Sequence, residues 1–201
     1  MTNLGFPRRT IVALTLALVT FSMASSAIAQ DAVLELDPAL TQVTFTLGAV
    51  LHTVHGTFKL KSGTVKFDPA SGHASGLVVI DAASGNSDNS GRDHKMHKDV
   101  LESAQYPEVT FTPQQVQGQV LPKGDFKVQV LGSFTLHGTS HPLTLAIQAH
   151  LAADRFTADT QFPVPYQNWG LKNPSTLFLR VDDIVNLSIH AVGQIKMPSA
   201  H

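Results

Sequence analysis

The 201-residue chain contains no cysteine. That one absence removes disulfides, zinc–thiolate sites, iron–sulfur clusters, thiol nucleophiles and a lipid-modified cysteine anchor. The chain is also poor in charge, at 14%, and has a single tryptophan. Hydrophobic residues make up 43%, enough for a sizeable core and too many for a disordered segment. It lacks a Gly-x-Ser-x-Gly elbow and a His-Glu-x-x-His helix, the commonest marks of a serine hydrolase and a zinc protease. No excess of positive charge is present either. Setting aside Arg8 and Arg9, which belong to the leader described next, twelve basic residues face fifteen acidic ones, a formal charge of −3. That balance gives no electrostatic case for nucleic acid or an anionic membrane surface.

Residues 1–29 read as an export signal rather than as part of a fold. Arg8 and Arg9 form a positive start, and Ile11 to Phe21 is an apolar run of signal-core length. It is too short to span a bilayer as a helix. Ala27-Ile28-Ala29 gives the small-x-small pattern of a cleavage site, so the mature chain is expected to begin at Gln30. The arginine pair leaves a twin-arginine route open, although its flanks suit the general secretory route better.

From Val43 onward the dominant pattern is period two. Val43, Phe45 and Leu47 alternate with threonines, and Phe58 and Leu60 alternate with Thr57, Lys59 and Lys61. Val65 and Phe67 then change parity across Ser62-Gly63, which predicts a bulge. The same alternation recurs around Val109–Phe111, Phe126–Val130, Leu143–Ile147, Phe156–Phe162 and Val185–Ile189. Turn signals separate these runs, among them Asp37-Pro38, Asp68-Pro69, Ser71-Gly72, Lys123-Gly124, His137-Gly138 and Asn173-Pro174. One apolar and one wet face per strand, with little helical pattern, predicts an all-β fold, a sandwich or barrel. An eight-stranded antiparallel barrel of the lipocalin kind is wide enough to hold one small ligand.

One segment breaks the alternation. Ser90-Gly91-Arg92-Asp93 resembles a capping box with Asp in place of Glu. Met96, Val100 and Leu101 then fall on one helical side, away from Lys95, Lys98 and Glu102, until Pro107 ends the run. This predicts a short amphipathic helix near 93–103, placed to cover one mouth of the barrel, with Arg92 and Asp93 bracing the loop into it. The domain is expected to run from 30 to 196, with 197–201 a loose end.

Several stretches together resemble the YceI-like family, the polyisoprenoid-binding, lipocalin-like proteins. They are Leu36-Asp37-Pro38 before TQVTFTL, His55-Gly56-Thr57-Phe58, Ser62-Gly63-Thr64-Val65, Phe67-Asp68-Pro69, GRDHKMHKDVLESAQYPEVTF over 91–111 and GSFTLHGTSHPLTL over 132–145. The resemblance spans roughly 33–196. Many members read Arg-Asp-x-His-Leu where this chain has Arg92-Asp93-His94-Lys95-Met96-His97, so no histidine role is carried over. The resemblance implies an eight-stranded barrel, export to the periplasm and a noncovalently bound isoprenoid lipid of polyprenyl or quinone type, without a further cofactor. Neither the lipid nor the compartment follows from alternation.

The candidate lining residues are Phe45, Phe58, Phe111, Phe126, Phe134, Leu145, Phe162 and Leu187. The competing reading of each is a side chain filling a closed core, as in small barrels without a cavity. Trp169 could touch a headgroup at the mouth, or anchor its Pro- and Gly-rich loop to the core. Three histidine pairs, His52/His55, His94/His97 and His137/His141, invite a metal site. Residues three apart on a strand point to opposite faces, so only His94 and His97 are well placed. No carboxylate stands at matching spacing, and surface histidines on turns are the simpler account. Asp81, Asp93 and Asp99 could orient a histidine for catalysis, but nothing in the sequence gathers them. The reading is therefore a carrier and not an enzyme, the alternatives being an interaction module with a filled barrel or a histidine-based metal protein. A rim strand could pair two barrels into a homodimer.

Overall fold

A computed structural model describes residues 31–50, 52–175 and 180–198. The expected export signal at 1–29 lies outside the described residues, as do 199–201 at the loose end.

Nine strands carry the fold: β1 (Ala32–Leu36), β2 (Gln42–Ala49), β3 (Thr53–Phe67), β4 (Ala74–Asn86), β5 (Glu108–Gln117), β6 (Gly124–Leu136), β7 (Thr139–Ala152), β8 (Arg155–Val164) and β9 (Val181–Lys196). From β2 to β9 each pairs antiparallel with the next in the chain, and β9 returns to β2. The result is the closed, eight-position, up-and-down barrel. Closure pairs the strand edges that an open sheet would leave bare.

The first position is shared by two strands. β2 pairs with β3 and β9 at one end, and β1 pairs with the same two strands at the other. Between them the chain makes a tight turn: the Asp37 carboxylate accepts the Ala39 N–H at 2.8 Å, and the Asp37 carbonyl accepts that of Thr41 at 2.9 Å. The Thr41 hydroxyl oxygen then accepts the Val192 N–H at 3.2 Å, so β9 keeps a partner across the interruption.

The parity change at Ser62-Gly63 is a bulge in β3, where its register against β4 shifts between Leu60 and Ser62. β4 itself has no clean alternation. Leu77, Val78, Val79 and Ile80 are consecutive apolar residues, and Leu77 faces outward, 45% exposed.

The helical segment lies three residues earlier than its pattern suggests. An α-helix, α1, covers Ser90–Lys95, and a π-helical turn continues it over Met96–Val100. The capping-box reading is corrected as well. The cap is Asn89, whose side chain accepts the Arg92 N–H at 2.9 Å. Asp93 is turned instead to Ser87, and Ser90 is already the first helical residue.

Two apolar clusters divide the interior. The end holding the turns after β3, β5 and β7 is packed solid by Ala32, Phe67, Ala74, Leu151, Phe156 and Ile195. The other half, beneath α1 and the loop between β8 and β9, is walled by Val43, Phe45, Ile80, Val109, Phe134 and Leu187 among others. The helical segment covers one mouth and a side-chain plug sits at the other, and a hollow lies in the upper half.

Candidate functional site

The upper half holds a partly open chamber of about 560 Å³. Inward positions of six strands form its wall: Val43 and Phe45 on β2, Val54 and Phe58 on β3, Ile80 on β4, Val109 on β5, Phe134 and Leu136 on β6, and Val185 and Leu187 on β9. Val164 at the end of β8 and Tyr166 and Leu171 beyond it add to the wall. Met96, Val100 and Leu101, the apolar side of the helical segment, form the roof. The π-helical turn, closed by the Leu101 N–H on the Met96 carbonyl at 2.8 Å, keeps these three on the chamber side. Met96 and Phe58 press against Gly85, where a Cβ would come within 2.7 Å of each. The roof can sit this close because position 85 has no side chain.

Of the sequence-derived lining residues, the chamber brings together Phe45, Phe58, Phe134 and Leu187. Phe45 and Phe58 meet as a tilted pair with centroids 5.4 Å apart. Five fall outside the chamber wall. Leu145 and Phe162 are buried in the same cluster but behind the surface; Phe162 packs edge-on to Phe134 at 5.8 Å. Phe111 packs against that cluster half-buried, and Phe126 belongs with the lower plug. Alternation assigns these side chains correctly to the inside, but it carries no information on depth along the barrel, which decides between plug and chamber. Trp169 stacks on His141 with centroids 4.1 Å apart and planes 5° from parallel, and it also touches Phe134. It anchors its loop to the core instead of lining the chamber.

The polar residues at the roof were not legible as lining. Ser87, Asn89, Arg92, Lys95 and His52 all reach the chamber surface. Ser87 is buried and forms the hub of a brace. Its N–H donates to Asp93 Oδ1 at 2.9 Å, its hydroxyl donates to the same oxygen, and it accepts Arg92 Nε at 2.7 Å. Arg92 Nη2 also donates to the Ser87 carbonyl at 2.7 Å. This is the Arg92–Asp93 brace expected before the helix, with the buried serine as its centre. Lys95 Nζ donates to the Pro174 carbonyl at 2.7 Å, which ties the helix to the β8–β9 loop. Tyr166 donates to the Asp182 carbonyl at 2.7 Å. Burial, and then the nearby Asp183 and Asp182, push its phenol up to about 12.

The histidine pairs do not converge. His97 Nε2 donates to the Gly85 carbonyl at 2.9 Å while His94 is exposed. His137 donates to Glu102 at 2.7 Å, and His141 lies under Trp169 with a buried Nε2 that has no partner among the described residues. Among the described residues no three histidine, aspartate or glutamate side chains form a group able to hold a metal ion. No helix among them is long and apolar enough to cross a membrane.

A closed antiparallel meander with a helical roof over an apolar chamber can now be set against known proteins. The family model of the YceI-like domain matches residues 34–193. The chain belongs to the YceI-like family. It is 31% identical to a UPF0312 protein of Vibrio vulnificus over 144 residues, 70% of this chain and 74% of the relative. It is likewise 31% identical to the protein YceI of Escherichia coli O157:H7, over 69% of this chain and 71% of that one. Among solved structures, BcnA of Burkholderia cenocepacia superposes with a TM-score of 0.63 at 22% identity, covering 78% of this chain and 98% of BcnA. A polyisoprenoid-binding domain from Saccharophagus degradans superposes with a TM-score of 0.60 at 17% identity, over 81% of this chain and 98% of the domain. At those identities the structural likeness establishes the YceI-like barrel fold.

Proposed function

We propose that this protein is exported to the periplasm after cleavage behind Ala29, where it binds and carries an isoprenoid lipid inside the barrel as a binding protein and not as an enzyme. The observation that carries the reading is the apolar chamber of about 560 Å³ in the upper half, within the size range of ligand-binding cavities. The polyisoprenoid-binding relative of the same fold supports it. Burial of a prenyl chain supplies the affinity. Each CH₂ contributes about 0.8 kcal/mol, so a five-carbon unit gains roughly 3–4 kcal/mol. A few units give on the order of 10 kcal/mol before the cost of association, which reaches micromolar affinity without a charge pair. The competing module with a filled barrel is disfavoured by the hollow itself.

The test is a native mass spectrum of the mature chain purified from its own periplasm, followed by the same measurement after denaturation. An excess mass that vanishes on denaturation and extracts into organic solvent as an isoprenoid supports the carrier. A bare polypeptide mass, with no uptake of added quinone or polyprenyl lipid, overturns it. The mass of the purified chain reads the cleavage site, and its oligomeric mass tests the homodimer.

A further inference from the structure

The barrel wall is not sealed along every strand pair. β7 and β8 pair from Ala152 opposite Arg155 up to Ile147 opposite Thr160, and there the ladder stops. β7 runs on to Thr139 and β8 to Val164 with no register pair between them. Each edge carries a proline in that stretch, Pro142 and Pro163, and a proline has no N–H to give a ladder. At the foot of the gap the Thr160 hydroxyl donates to the Ala146 carbonyl at 2.9 Å. Outside, the same place is a depression of about 480 Å³, walled by Ala146 and Gln148 on β7 and by Asp159, Thr160 and Gln161 on β8, with β9 and β2 beyond. Inside, Leu145 and Phe162 are buried on either side of it.

The turn Pro165–Leu171, which follows β8 directly, spans from that strand to β7. Its backbone hydrogen bonds are internal: the Trp169 N–H donates to the Pro165 carbonyl at 3.1 Å, that of Gly170 to Gln167 at 3.0 Å and that of Leu171 to Tyr166 at 3.0 Å. It is a compact unit docked on the barrel by side chains. Trp169 lies on His141 of β7, Tyr166 donates to the Asp182 carbonyl, and Leu171 is buried. Lys172, the next residue, is held on Glu102, so the tie over the roof steadies this turn as well. Tyr166 and Leu171 also wall the chamber, and lifting the turn opens the chamber sideways. The docking carries a cost. Trp169 covers a ring whose Nε2 is shut off from water and has no partner among the described residues. A buried polar atom left unpaired destabilises the closed arrangement, and the penalty is relieved once water reaches it.

We propose that the β7–β8 seam is a side door to the chamber: the Pro165–Leu171 turn swings away from β7, with the Trp169–His141 stack as its latch, and the apolar ligand passes between the two strands. This rests on the carrier reading for the presence of a ligand and adds the route by which it crosses the wall. A latch acts on crossing in both directions alike and leaves affinity alone. Trp169 and His141 stand outside the chamber wall, so their effect on crossing separates from binding.

The experiment measures association and dissociation of an anthraniloyl-labelled geranylgeranyl ether by stopped flow in the mature protein. Trp169→Ala should speed both about tenfold, with Kd within about twofold of wild type. His141→Phe keeps a ring beneath Trp169 and removes the unpartnered nitrogen, so both rates should fall about fivefold or more. This second variant carries the test if Trp169→Ala does not fold. Rates unchanged by the substitutions overturn the door. A change in dissociation alone, with a matching change in Kd, also overturns it, because the stack would then belong to the binding site. Trp169 is the only tryptophan of the chain, which supplies a readout without ligand. Its quenching by acrylamide reports the lifted turn, and His141→Phe should lower the quenching constant about twofold or more. If the probe binds to none of the proteins, the carrier reading fails and quenching alone judges the latch: a lowered constant supports it and an unchanged one overturns it.

Discussion

Glu102 and His137 face each other across the barrel rim at 2.7 Å, and both hold left-handed backbone, with φ of +46° and +52°. Glu102 follows the helical roof, and His137 opens the two-residue turn between β6 and β7, whose Gly138 is also left-handed at +75°. A turn with both central residues at positive φ suits a twisted hairpin, but it strains a residue that has a Cβ. At His137 that strain places Nε2 on the Glu102 carboxylate. Lys172, from the β8–β9 loop, joins the same carboxylate at 3.5 Å. Three separate segments around the roof are thereby tied to one side chain.

The hydrogen bond from His137, the largest effect, outweighs burial and, helped by the charge of Lys172, holds the Glu102 carboxyl below the ordinary carboxylate range. A lowered folded-state value stabilises the native roof above the unfolded carboxyl range and ceases to do so as acid protonates the folded carboxylate. We expect Glu102→Gln to speed ligand release at neutral pH. The wild-type release rate should approach that of the variant only below about pH 4.3, the unperturbed glutamate value. Stopped-flow release of a fluorescent prenyl probe across pH 7 to 3.5 reads this. A wild-type rate unaffected by both acid and the substitution would show that the tie does not hold the roof.

Ser87 is the buried centre of the roof's brace, and Ser87→Ala would leave Arg92 Nε and one Asp93 oxygen short of a partner. A lost hydrogen bond to a charged group costs about 1.5–3 kcal/mol, which for a domain of this size lowers the melting temperature by roughly 2–4 °C per kcal/mol. Calorimetry of the mature chain is the measurement. A melting temperature within a degree of wild type would mean that water replaces the hydroxyl at no cost.

How much of this was open to sequence reasoning can be judged from particular residues. The strands were legible because alternation is a physical consequence of one face being buried, and even the bulge at Ser62-Gly63 appeared as a change of parity. β4 was not, because both of its faces carry apolar or small residues around Val78, Val79 and Ile80, so period two disappears. The chamber was only half legible. Phe45 and Phe126 look alike in sequence, yet one lines the hollow and the other belongs with the plug. Lys95 lay on the polar side of a regular α-helix but reaches the chamber beside Met96, where α-helix gives way to a π-helical turn.

The hollow and the plug should answer substitution differently. Phe156→Ala removes packed volume from the lower cluster and is expected to cost about 3–5 kcal/mol, with ligand affinity little changed per folded molecule. Leu187→Trp places extra volume where space already exists, so the fold should survive while uptake of the prenyl probe falls about tenfold or more. Urea titration and ligand titration on both variants separate the two effects. A Leu187→Trp protein that binds normally would show that the ligand lies elsewhere.

Gly193 on β9 lies where β1 closes the seam opposite β2. A Cβ there would stand 2.1 Å from the Glu35 carbonyl oxygen and 2.7 Å from Phe156. The backbone contact cannot yield without β1 moving, because Leu36 pairs with Gly193 and Glu35 with Gln194. Gly193→Ala is therefore expected to destabilise the barrel by about 2–4 kcal/mol and to expose Ala32–Leu36 to protease. Limited proteolysis with N-terminal sequencing reads the second effect. A variant as resistant as wild type would show that β1 accommodates the methyl group by sliding.

Tyr166 supplies the alkaline counterpart of the Glu102 tie. Its phenol lies in the chamber wall, donates to the Asp182 carbonyl, and is pushed up to about 12 by burial and by Asp183 and Asp182. The unfolded phenol ionises near pH 10. The neutral form is therefore favoured in the folded state, and its stabilising effect is present below pH 10 and lost as the pH climbs toward about 12. Ultraviolet titration should show one of the two tyrosines ionising about two pH units late, and Tyr166→Phe should remove that late step. The same substitution should flatten the decline in stability between pH 10 and 12, because a phenylalanine gives the unfolded chain nothing to ionise. If Tyr166 ionises near pH 10 in the folded protein, the chamber wall there is wet and its hydrogen bond to Asp182 is not maintained in solution.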